Sequence, residues 1–423
     1  MKLARTLSSL SVLSLLLHAT ELFAGSTSFT IQTDTPILTM NQSNPTQQLP
    51  IIFTITNNNA VNSSGNSGPV TISNLPNGVT PILSPIGGNA CQVNSYQSGK
   101  NEFTITSLNK GQSCALNMMV DRALNPSAMH FTIAPIVCAL QNTRCTKPVY
   151  EQDIINIDVI NDFQKVVFIV FENENASDTL TFETFKEVSQ NGAYFNNFHA
   201  VARPSQPNYI AMTSGSTLGV TNNSNVDLDA TSIVNLLDNG GRSWKVYAEN
   251  YPGNCFTGSS SPDNLYKRKH NPFISYTYIS GNPTRCANIV NAQDNFTQDV
   301  NTNNLPDYSF YLPNIPHSGH DGVEVADTWL RTFMYPIMQT FKNNNESVLF
   351  VLTFDESNPD VNDPGYAENK VYTVFYGSMV NTMQVSENDN FYNLLRTLED
   401  IWNLGTLGRN DETATAITPD VWN

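Results

Sequence analysis

Positive charge is scarce in this sequence: 21 Lys and Arg stand against 37 Asp and Glu in 423 residues, a formal net charge of −16. A surface of that sign argues against non-specific nucleic-acid binding and against a basic patch gripping anionic lipid. Long apolar runs are also missing, and no stretch reaches the roughly 20 residues that span a bilayer. Cysteine is limited to six, none in the CxxC spacing of a zinc knuckle. Histidine is limited to six as well, few enough to weigh one by one.

The first residues read as a secretory signal. Lys2 and Arg5 give a basic start, Leu10 to Leu17 an apolar centre, and Leu22-Phe23-Ala24 a cleavage site. Residues 1–24 are therefore expected to be removed and the mature protein exported, to a periplasmic or extracellular location. An even number of cysteines in an exported chain points to disulfides. Sequence neighbours suggest Cys91–Cys114, Cys138–Cys145 and Cys255–Cys286, all structural.

A chain of this length exceeds one typical core, so two domains are expected, and its character changes near residue 160. Up to that point short alternating runs such as Pro50–Thr56, Pro69–Ser73, Asn101–Thr106, Cys114–Val120, His130–Ala134 and Ile154–Ile160 are separated by Asn, Gly, Pro and Ser clusters. The spacing predicts an all-β immunoglobulin-like sandwich over residues 25–160, with a structural or adhesive role. Beyond it, Lys165–Phe171 and Ser347–Phe354 are almost unbroken apolar runs, the mark of strands buried on both faces, and Lys370–Tyr376 resembles a third. With helical patterns over 181–189, 231–239, 327–342 and 390–402, residues 161–423 read as an α/β domain with a mostly parallel sheet. Ligands in such domains bind beyond the carboxyl ends of the strands.

The stretch that organises this half is Ala200–Gly215. Pro204 and Pro207 bracket Ser205 and Gln206, which places Ser205 on a stiff turn entering a helix expected to begin near Asn208 and to end at Gly215. A hydroxyl at a helix start faces unpaired N–H groups and a positive dipole end, a favourable place to attack an anionic phosphoryl group. Glu172 and Asn173 follow the first apolar strand, and Asp355 and Glu356 follow the second. Together they form a candidate oxygen-rich site for a divalent metal. His270 lies in Lys267-Arg-Lys-His270, the one dense basic cluster of the chain, suited to an anionic phosphate. His320, paired with Asp321 between glycines, is a candidate for metal ligation or for protonating a leaving group. His317, three residues earlier, reads as incidental, and His199 as a packing or hydrogen-bonding residue near the serine. The set points to metal-assisted hydrolysis of a phosphate ester.

Five segments, Val167–Asn173, Arg203–Tyr209, Arg268–Phe273, Gly319–Gly322 with Asp327–Trp329, and Phe350–Glu356, together resemble the bacterial phosphoesterase family of secreted acid phosphatases and phospholipases C, a branch of the alkaline-phosphatase-like superfamily. The resemblance implies an alkaline-phosphatase-like α/β catalytic domain over 161–423. It implies Ser205 as nucleophile, Glu172, Asn173, Asp355 and Glu356 at the metal, and His270 and His320 on the phosphate and leaving-group side, with Asp321 orienting its neighbour. A divalent metal, with zinc the expected ion, is the implied cofactor. The fully His/Asp-ligated two-zinc pattern of the superfamily is not reproduced, because the later strand ends in Asp-Glu-Ser. Expected substrates are a phosphatidylcholine-type phospholipid, with transient membrane-surface contact, or a small phosphate monoester. Phe256, Tyr266, Phe273, Tyr276 and Tyr278 are either an aromatic rim for a lipid or the packing of an insert. A non-catalytic adhesin built on the sandwich is the alternative from a different class.

Overall fold

The computed structural model describes residues 29–41, 48–58, 67–83, 89–97, 101–121, 130–139, 144–160 and 163–422. The expected signal at 1–24 lies outside the described residues. Two compact units emerge: one built from residues up to 37, 50–120 and 132–156, the other from 38–49, 121–131 and 157 onward.

In the first unit, alternating burial builds two sheets. Phe29–Gln32, Gln48–Asn57, Ser113–Asp121 and Val79–Pro81 lie side by side in one of them. Arg144–Thr146, Ile136–Ala139, Val70–Ser73, Glu102–Ile105 and Val93–Gln97 form the other, with antiparallel neighbours throughout. Phe53, Ile55, Ile72, Phe103 and Leu116 are buried, as period-two alternation requires. Cys91 bonds Cys114 and Cys138 bonds Cys145, the latter across two paired strands.

The second unit centres on an eight-stranded sheet. Its strands are β1 (Lys165–Phe171), β2 (Ala193–Phe195), β3 (Trp244–Ala248), β4 (Ile289–Asn291), β5 (Tyr308–Leu312), β6 (Val348–Phe354), β7 (Thr373–Tyr376) and β8 (Met383–Val385). The order is β4-β3-β5-β1-β6-β7-β2-β8. From β4 to β6 all neighbours are parallel. The run expected as a third parallel strand, β7, is instead antiparallel to β6. The two central strands are buried from Val166 to Phe171 and from Val348 to Phe354, with Thr353 the one polar side chain inside and Lys165 half-buried at the start of β1, so both of their faces are covered.

Helices lie close to where the apolar periodicity places them, at Glu183–Gln190, Ile233–Asn239 and Phe391–Ile401. The pattern expected over 327–342 is a longer helical run, Val323–Trp329, a π-helical turn Leu330–Met334, and Tyr335–Asn343. Cys255 bonds Cys286 in this unit. Tyr266, Phe273 and Tyr276 are buried in the core, while Phe256 and Tyr278 pack partly buried against it. Packing is what Tyr266, Phe273 and Tyr276 do.

Candidate active site

Register builds the site. Phe171 of β1 pairs with Phe354 of β6, so both strands stop at the same level, and Asp355 N donates to Phe171 O at 2.9 Å. The next residues therefore emerge together: Glu172 and Asp355 are fully buried, and Asn173 N donates to Asp355 Oδ1 at 3.2 Å. Asn173 holds a left-handed backbone (φ 62°), which asparagine tolerates better than most residues and which turns the chain sharply out of the strand.

Ser205 comes from a separate helix. Its helix is Ser205–Ser214, starting three residues earlier than expected. Pro207 stands in the first turn, where its missing N–H has no intrahelical partner to lose, so it does not delay the start. Asn208 clamps the turn before the serine, accepting from Val201 N and Ala202 N and donating to Ala202 O. Ser205 Oγ donates to Glu356 Oε1 at 3.1 Å. The helix closes on Gly215 (φ 69°), as a left-handed glycine end requires.

His270 is buried, with Nε2 2.8 Å from Glu172 Oε2, and its ring lies against Tyr209, four residues after the serine, at 5.3 Å between centroids. Lys269 Nζ reaches the same carboxylate oxygen at 3.3 Å. Ser318 Oγ donates to Glu172 Oε1 at 3.1 Å. His320 and Asp321 sit at the exposed rim, Nδ1 to Oδ1 at 3.1 Å. The structure thus brings Glu172, Ser205, His270, Asp355 and Glu356 into one buried patch with half-buried Asn173 beside them, and leaves His320 and Asp321 at its edge.

Three neighbouring carboxyls carry unequal burdens. Burial pushes Glu172 up, but the positive partners His270, Lys269 and His320 outweigh it and hold the group at about 2. Asp355 is driven well above the usual carboxylate range by burial and then by the charges of Glu172 and Glu356. Glu356 is raised by burial, opposed by Arg203. Burial lowers His270 despite the attraction of Glu172.

A divalent cation placed here would offset the mutual repulsion of these carboxyls. Among the described residues no three His, Cys, Asp or Glu side chains stand in a ready-made metal cluster. The fit rests on chemistry: Asn173 Oδ1 and Asp355 Oδ2 are buried oxygens without a hydrogen-bond partner, and such groups are costly unless something meets them. The donor set is all oxygen, which suits a hard divalent ion.

Other roles were invisible in the sequence pattern. Arg203 ties the serine turn to the later strand end, donating to Glu356 Oε2, Ser357 O, Ser357 Oγ and Tyr366 O. Glu249 ends β3 as Glu172 ends β1; it accepts from Tyr311 Oη, Trp329 Nε1 and Asn314 N, with His317 Nδ1 at 2.6 Å. His317 is therefore an anchor of the 313–322 loop, and the signal that would have found it is an acid after a strand. His199 has the hydrogen-bonding role expected, to Glu368 O and Asn197 Oδ1.

A model of the phosphoesterase family matches residues 160–405. A probable acid phosphatase of Kluyveromyces lactis is 31% identical over 299 residues, covering 68% of this chain and 69% of the relative. An acid phosphatase of Aspergillus fumigatus is 29% identical over 262 residues, 59% of this chain and 57% of its own length. A phosphatidylinositol-3-phosphatase of Mycobacterium tuberculosis is 32% identical over 267 residues, 62% of this chain and 83% of that protein. Among solved structures, an alkaline-phosphatase-superfamily protein from Vibrio parahaemolyticus superposes loosely, with a TM-score of 0.42 and 13% identity over 59% of this chain and 70% of that one.

Proposed function

This chain belongs to the phosphoesterase family and is a hydrolase of phosphate esters, and from that premise we propose that it is an exported, Ser205-dependent, metal-assisted phosphomonoesterase. The observation that carries the proposal is Ser205 at a helix start, hydrogen-bonded to Glu356 beside the buried Glu172 and Asp355. Relatives named as acid phosphatases and as a phosphatidylinositol-3-phosphatase support a monoester substrate. The phospholipase C alternative loses its lipid rim, because Tyr266, Phe273 and Tyr276 are core residues. Disulfides in both units support an oxidising compartment and hence export. In this reading the α/β half, residues 161–423, is alkaline-phosphatase-like, and residues 25–160 form an immunoglobulin-like accessory sandwich.

The chemistry follows from the side chains. Glu172, Asn173, Asp355 and Glu356 would hold the divalent cation, which supplies positive charge against phosphoryl oxygens when bound. Ser205 Oγ attacks phosphorus in line, its proton passing to Glu356 Oε1, already its acceptor. The P–O bond to the leaving alcohol breaks as His320, held by Asp321 at the rim, protonates that oxygen. His270, buried against Glu172 and Tyr209, fixes that carboxylate in place. Water then attacks the phosphoserine, giving its proton to His320, and Ser205 recovers its own from Glu356.

The test sets p-nitrophenyl phosphate beside p-nitrophenylphosphorylcholine, each with chelator and after restoring zinc, magnesium or calcium. Metal-dependent cleavage mainly of the monoester is expected. Preference for the choline diester would return the assignment to phospholipase C, and chelator-resistant turnover would remove the metal from it.

A further inference from the structure

Four basic side chains belong to the motifs around Ser205 and His270, and the two arginines are already committed to several protein partners, while Lys267 turns to a loop asparagine away from the carboxylates. Arg203 donates to four acceptors and lies 4.2 Å over the Tyr366 ring. Arg268 is buried and donates to Thr257 O, Val226 O and Asp227 Oδ1. Lys267 donates to Asn264 Oδ1. Lys269 is different. Among the described residues its one polar partner is Glu172 Oε2, at 3.3 Å, longer than a strong charge-assisted bond. An ammonium has three donors, so two remain.

The side chain of Lys269 keeps 19% of its surface exposed, so a ligand entering from solvent reaches it. Its charge also acts on Glu172, Glu356 and His270, and Glu356 is the residue that holds Ser205 Oγ. Lys269, paired with Glu172 and with donors to spare, therefore stands beside the carboxylates that surround Ser205.

The geometry points to Lys269 as the residue that grips a non-bridging phosphoryl oxygen and selects phosphate monoesters over diesters, an inference that rests on the phosphoesterase reading of the site. A monoester above its second ionisation, near pH 6, carries about two negative charges, whereas a diester carries one and has its remaining oxygen esterified. A compact ammonium gains more from the dianion, and the neighbouring carboxylates repel it, so the positive contact decides which ester is held.

The experiment measures kcat/KM of the mature chain, Lys269→Gln and Lys269→Arg on p-nitrophenyl phosphate and bis-p-nitrophenyl phosphate. Lys269→Gln is expected to lower the monoester value about 100-fold and the diester value about 10-fold or less, while Lys269→Arg keeps the ratio within about threefold of the native one. The gap should widen between about pH 5 and about pH 7.5, as the monoester gains its second charge. Lys269→Met replaces the Gln variant if that one does not fold. Equal losses on both esters at both pH values, or no loss, overturn the assignment. No turnover of either ester by the native chain would instead sink the phosphoesterase reading itself.

Discussion

Glu172 and Glu399 are both buried carboxyls, and their surroundings drive them in opposite directions. Glu172 faces His270, Lys269 and His320 and is held at about 2. Among the described residues nothing donates to either oxygen of Glu399; burial, and then the charge of buried Asp411, push it up to about 9, with Arg396 opposing and Asp400 and a side-chain hydrogen bond to Asp411 adding to the rise. A carboxyl raised in the folded state keeps its proton there while the unfolded chain releases it, so between about pH 4.5 and about pH 9 stability falls as pH rises. Its contribution is fully present in acid, with a slope of up to about 1.4 kcal/mol per pH unit. Glu399→Gln should therefore flatten the fall in Tm between about pH 5 and about pH 8 and raise Tm at the upper end. Parallel Tm profiles for the two proteins would contradict this.

At the residue scale, the sequence was most informative where a side chain sits just past a recognisable strand or inside a proline box, as Glu172, Asp355 and Ser205 do. Lys269, Arg203 and Glu249 escaped because their roles depend on which neighbouring cations and carboxylates are already paired, which only tertiary packing settles.

Among elements, the serine helix depends on its distal end as well as its start. Gly215 adopts φ 69°, and a Cβ there would lie 2.1 Å from Asp411 Oδ1. Asn410 N and Asn410 Nδ2 both donate to Gly215 O, and Arg409 Nη1 to Ser214 O, so the chain's last turns clasp this helix end. Gly215→Ala is expected to destabilise by about 2 kcal/mol or more, from left-handed strain plus the displaced carboxylate. An unchanged denaturation midpoint would count against that clasp. Strands β1 and β6 were legible because both faces are buried, which leaves an almost unbroken apolar run. β3 and β5 were not: Lys245 and Ser309 interrupt them, one neutralised by Asp299 at 2.6 Å and the other buried outright, and without these strands the meaning of Glu249 was hidden too. The antiparallel course of β7 was equally unreadable, since an apolar run carries no direction.

For the whole molecule, acidic composition and three disulfides set the context, and the cysteine pairs were readable because each joins sequence neighbours. In the proposed mechanism Ser205 itself carries the phosphoryl group between the two half-reactions. The most direct test is to quench the mature protein in acid during turnover of p-nitrophenyl phosphate and map covalent phosphate by peptide mass. Phosphate on Ser205, absent in Ser205→Ala along with turnover, is the expected result. Phosphate on another residue, or undiminished hydrolysis by Ser205→Ala, would contradict the account.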